Sequence, residues 1–185
     1  ATAGDANHSY DNPLSFSIRN QEKGAEGITF SAGGHKMFIV GTEGTNKGEV
    51  NSYSLSEPYL ITSASHAEVY TMSFTDASPS GITFSESGLK MFMTGNADDV
   101  FEYELTNAYC IGSITTPLKK DIKITGSGNP TGLVFDASGT KLFVVDKFPD
   151  KVYQFDVAVP WLAASVNATA GDANHSYDNP LSFSI

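Results

Sequence analysis

Short runs in which apolar and polar positions alternate recur along this chain at a nearly fixed spacing. The clearest reads Gly27-Ile28-Thr29-Phe30-Ser31, then Gly34, then Lys36-Met37-Phe38. It returns as Gly81-Ile82-Thr83-Phe84-Ser85, Gly88 and Lys90-Met91-Phe92, and again as Gly132-Leu133-Val134-Phe135-Asp136, Gly139 and Lys141-Leu142-Phe143. The first glycine moves by 54 residues and then by 51, while the spacing inside the motif stays constant. Runs of β-branched and aromatic residues with a period of two predict short β-strands. The Ser/Asp-x-x-Gly between them predicts a tight hairpin with Gly34, Gly88 and Gly139 at positive φ. Lys36, Lys90 and Lys141 follow the turn and are expected on the surface.

A third strand follows in each copy: Val50–Leu55, Val100–Leu105 and Val152–Val157. Each is followed by an aromatic in phase, Tyr59, Tyr109 and Trp161. Repetition in phase predicts packing between repeats rather than a binding platform. A fourth strand is expected at Tyr70–Phe74, Lys120–Ile124 and Leu181–Ile185. Four strands in 51 to 54 residues is the size of a propeller blade. The expected fold is therefore all-β: a β-propeller with three four-stranded blades, divided as 19–76, 77–125 and 126–185.

A second repeat is of another kind. Residues 1–18 and 168–185 are identical, giving a period of 167 residues, or three blades. Residues 14–18 are thus a surplus fourth strand. Propellers usually have four to eight blades, and three alone would leave two apolar faces open. Two copies give six blades with twofold symmetry. The expectation is a six-bladed ring, as a homodimer or within a longer protein, with residues 14–18 of one copy competing with 181–185 for the partner's third blade.

Composition trims the list of partners. The formal net charge is −10, from 21 acidic and 11 basic residues, which disfavours nucleic acid. No apolar run approaches a membrane span, so no membrane insertion is expected. Cys110, the single cysteine, forbids an intrachain disulfide and reads as a small core residue. No signal peptide is visible, and the start at Ala1 suggests a processed, excised or engineered chain.

The pattern Pro-x-Gly-Ile-x-Phe-Ser-x-x-Gly-x-Lys-Met-Phe with Val-x-x-Tyr-x-Leu resembles the YVTN and lactonase-like families of bacterial β-propeller repeats. Pro79-Ser80-Gly81 and Pro130-Thr131-Gly132 carry its start, whereas Ala25-Glu26-Gly27 lacks the proline. The resemblance covers essentially the whole chain and specifies fold more than function. It implies secretion or attachment to a cell surface. The lactonase-type members are enzymes, but none of their catalytic residues maps onto this chain.

The residues themselves offer little chemistry. His8, His35, His66 and His175 show no metal-binding spacing, and neither a nucleophile elbow nor a phosphate loop is present. No residue is assigned a catalytic, cofactor-binding or metal-binding role. Acidic loops at 41–49, 95–99 and 146–150 are the remaining lead, with calcium as an alternative to plain turn residues. Three functions compete. The first is a non-catalytic binding, adhesion or structural module for an unknown ligand. The second is a channel-site hydrolase of the lactonase-like type, and the third an engineered or excised fragment without independent activity.

Overall fold

The computed structural model describes residues 14–42, 48–72, 78–95, 100–120, 129–148, 150–166 and 181–184. Twelve strands form three antiparallel four-stranded sheets, each from consecutive strands. The first blade holds β1 (Ala25–Phe30), β2 (Lys36–Gly41), β3 (Glu49–Leu55) and β4 (Ala64–Thr71). The second holds β5 (Pro79–Phe84), β6 (Lys90–Gly95), β7 (Val100–Leu105) and β8 (Ile114–Lys120). The third holds β9 (Pro130–Phe135), β10 (Lys141–Asp146), β11 (Lys151–Asp156) and β12 (Leu181–Ser184). This is part of a β-propeller, with β1, β5 and β9 as the innermost strands: β1 packs on β5, and β5 on β9.

The two seams between blades repeat one contact. Phe38 and Val40 of the first blade enter a pocket of Ile82, Phe84, Met91 and Met93 on the second. Phe92 and Val100 of the second blade enter the matching surface of the third, around Leu133, Phe135, Leu142 and Val144. The ring geometry repeats too. Phe38 lies 4.4 Å from Phe84, and Phe92 lies 4.6 Å from Phe135. Each β2-type phenylalanine is therefore a wedge driven into the next blade, and aromatic burial of this kind supplies the bulk of the seam's stability.

The in-phase aromatics lock the hairpins, as their repetition implies. Tyr59, Tyr109 and Trp161 adopt positive φ of 59°, 55° and 57°. Their rings lie on the turn glycines. A Cβ on Gly88, itself at φ +70°, would stand 2.3 Å from Tyr109, so glycine is required twice over. Tyr109 also packs on Phe84 at 5.3 Å and on Phe38 at 6.5 Å, and Trp161 sits on Phe135 and Phe92 at 5.1 and 6.5 Å.

Three expectations need correction. The fourth strands begin earlier than the alternation suggested: β4 starts at Ala64 and β8 at Ile114, while residues 73–77 and 121–128 lie outside the described residues. Outer strands have one open face, so Ser65, His66 and Glu68 can sit there without an apolar signature. Pro117 is tolerated in β8 because an edge strand need not donate to a further neighbour. Residues 14–18 form no strand here but lie along the first blade, with Phe16 edge-on to Tyr53 at 5.6 Å. Two of the hairpin lysines are not simply exposed. Lys36 Nζ donates to the Tyr109 carbonyl at 2.9 Å across the first seam. Lys90 pairs with Glu102, whose other oxygen accepts the Ala163 N–H at 2.7 Å in the third blade. Lys141 is exposed and paired with Asp156 at 2.8 Å.

Candidate functional site

The strand pairing sorts the loops by end. β1 starts opposite the end of β2, and β3 starts opposite the end of β4, so the β2–β3 loops and the inter-blade connections share one end. Three buried carboxylates lie at that end: Glu22, Glu49 and Asp146. Their work is largely local. Glu22 Oε1 accepts the Gly24 N–H at 2.9 Å, and Thr71 Oγ1 donates to Glu49 at 3.4 Å. Asp146 Oδ1 accepts the N–H groups of Asn129 and Phe148, at 2.7 and 3.0 Å.

Glu22 and Asp146 solve one problem from two places in the chain. By register with β2 and β10, Gly24 and Asn129 are equivalent positions entering the innermost strands. The backbone N–H there receives a carboxylate from the preceding loop in the first blade, and from the end of β10 in the third. The position equivalent to Asp146 in the first blade is Gly41, where a Cβ would meet the Glu22 carboxyl carbon at 2.7 Å and the Gly24 carbonyl at 2.2 Å. Both carboxylates act on a nearby phenol. Burial and then Glu22 push the Tyr53 hydroxyl up to about 12, and burial and then Asp146 raise that of Tyr153.

Of the acidic loops singled out in sequence, residues 43–47, 96–99 and 149 lie outside the described residues. Asp150 is exposed with φ +60°. Glu26 is an exposed carboxylate at the same end and the one carboxylate carried by the innermost strands, which read AEGITF, PSGITF and PTGLVF. Among the described residues no group of three or more His, Cys, Asp or Glu side chains is placed to hold a metal ion.

The opposite end carries a groove of about 280 Å³ across the ends of the innermost strands, lined by Phe30, Thr83, Phe84, Phe135, Asp136 and Trp161 among others. Asp136 has a structural task there. Its Oδ1 accepts the Lys141 N–H at 2.8 Å, and Ser138 donates to Oδ2. These bonds hold its carboxyl at about 2, with the Ser138 hydroxyl as the main cause. Ser31 and Ser85 receive the equivalent N–H in the other blades. A carboxylate so committed is a turn cap, not a base.

The described histidines do not converge. His35 contacts the Leu55 carbonyl at 3.2 Å, and His66 contacts Asn51 Oδ1 at 3.1 Å on the outer strand; His8 and His175 lie outside the described residues. Cys110 is half-buried and donates weakly to Glu68 at 3.4 Å across the first seam.

No family model matches the chain, and no curated protein does. Solved structures do match. A candidate 6-phosphogluconolactonase from Bacteroides fragilis is 14% identical with a TM-score of 0.52 over 70% of this chain. The periplasmic gluconolactonase of Pseudomonas aeruginosa is 19% identical with a TM-score of 0.51 over 72%. A protein from Lactobacillus plantarum is 15% identical with a TM-score of 0.54 over 73%. The chain spans 34% to 39% of the length of these three. The fold is thus that of the lactonase-like propellers, present here as three blades. Among the described residues no helix is long and apolar enough to cross a membrane.

Proposed function

We propose that this unit forms part of a propeller hydrolase acting on carbohydrate lactones outside the cytoplasm. The observation that carries the reading is Glu26, an exposed carboxylate on an innermost strand at the end where buried acids pin the loop entrances. Two neighbours in fold are named for gluconolactone chemistry, one of them periplasmic. In this reading a water oxygen attacks the lactone carbonyl carbon while Glu26 takes its proton. The ring C–O bond then breaks, and the proton passes to the departing ring oxygen, leaving the hydroxy acid. The expected module without catalysis finds no counterpart by name among these neighbours.

The test is acid release from glucono-δ-lactone near neutral pH, corrected for spontaneous opening. The wild type should exceed the buffer rate, and Glu26→Gln should lower turnover by about 10²- to 10⁴-fold. A wild type no faster than buffer refutes the hydrolase. An active Glu26→Gln refutes the role given to that residue.

A further inference from the structure

Both ends of the row of blades are open, and each matches a surface that is covered inside the row. On the first blade Ile28 is 57% exposed, whereas its equivalent on the second, Ile82, is 5% exposed because Phe38 and Val40 pack there. Phe30 and Tyr59 stand 5.5 Å apart, reproducing the Phe84–Tyr109 pair that receives Phe38. On the third blade, Val134 is 53% exposed and Val145 38% exposed. Phe143 stands where Phe38 and Phe92 stand in their own blades, as register with the innermost strands shows. One end of the chain therefore offers the wedge, and the other end offers its pocket.

The N-terminal segment adds a second observation. Phe16 and Ile18 pack on the first blade around Tyr53 and Leu55. Tyr70 and Met72 pack in the same way on the second blade. Tyr70 meets Tyr103 edge-on at 81°, and Phe16 meets Tyr53 at 82°. Residues 14–18 thus lie where the outer strand of a preceding blade would lie, although no such blade is in this chain. The identical segment at 181–184 pairs with β11 as the outer strand of the third blade.

We infer that a second copy of this chain closes the ring, and that residues 14–18 of each copy replace 181–184 as the outer strand of the partner's third blade. Phe143 and Val145 of one copy then fill the Phe30–Tyr59 and Ile28 surface of the other. The contact occurs twice by symmetry, so two copies saturate both open ends. Because the two segments are identical, exchange costs no side-chain contact and adds a covalent tie across each seam. The inference concerns assembly and stands whether or not the ring hydrolyses lactones.

Two measurements test it. Light scattering after size exclusion should give twice the 19.7 kDa of one chain. Ile28→Asp, at a position exposed in the single chain, should return the monomer mass with the far-ultraviolet spectrum of strands retained. A wild-type monomer, or an unchanged dimer in Ile28→Asp, overturns the seam. For the exchange, Leu14→Cys and Gln154→Cys are combined with Cys110→Ser. Gln154 pairs with Leu181, the duplicate of Leu14, in the single chain. Oxidation should therefore give a covalent dimer on a denaturing gel. Failure to cross-link in a protein that is dimeric by mass overturns the strand exchange while leaving the ring.

Discussion

Replacing Glu102 by alanine tests the seam between the second and third blades at its one described charged contact. Glu102 is buried, and its two oxygens look in different directions: one to Lys90 of its own blade, one to the Ala163 N–H of the next. Truncation leaves that buried N–H without its acceptor, at a cost of about 1–3 kcal/mol. Breaking a fully buried ion pair would add about 3–5 kcal/mol, but the Lys90 side chain is 24% exposed and can recover water. The expected loss is therefore about 2–4 kcal/mol. With a slope of about 2 kcal/mol per molar urea, the unfolding midpoint falls by about 1–2 M. Protein concentration must be held fixed, because association contributes to apparent stability. Glu104→Ala, two residues away and exposed, should stay within about 0.5 kcal/mol. A Glu102→Ala protein no less stable than Glu104→Ala refutes the reasoning.

Two further outcomes follow from the turns. Gly88→Ala forces a side chain into positive φ and against Tyr109, so it should cost at least about 2 kcal/mol in urea titration. Gly33→Ala, whose nearest neighbour would be 3.8 Å from the new carbon, should be close to neutral in the same titration. Asp136 is held at about 2, below its unfolded value, so its stabilising effect is present above about pH 4 and disappears as pH falls towards 2. The stability gap between wild type and Asp136→Asn should therefore close over that window in acid titration, and a gap that widens on acidification contradicts the capping role.

The inner three strands of each blade were legible because both of their faces are pressed between neighbours. Ile82, Phe84, Met91 and Phe101 had to be apolar, and their glycine-bearing hairpins had to turn. The outer strand was misplaced because it touches protein on one side only. Ser65, His66 and Glu68 satisfy β4 as well as apolar residues would, and the alternation read at Tyr70–Phe74 marked only its end. The lysines were misjudged because a sequence shows the charge but not the carbonyl or carboxylate that a neighbouring blade brings to it. The paired roles of Glu22 and Asp146 escaped a repeat-by-repeat reading, since the two stand at different offsets from the motif. The one available signal was that Asp146 breaks the glycine shared by Gly41 and Gly95.

That last substitution limits how the blades can be shuffled. A transplant of β10 into the first blade would bring Asp146 into the space that Glu22 already fills, forcing two carboxylates into one dry slot, where like charges repel and one must take up a proton. The reverse graft would leave the entering N–H with no carboxylate at all. Blades that look interchangeable by their motif are thus tied to the linker that precedes them. A recombination that respects the fold must cut before residue 22 and carry loop and strand together. The 167-residue duplication, with its boundary at residues 1–18, satisfies that requirement.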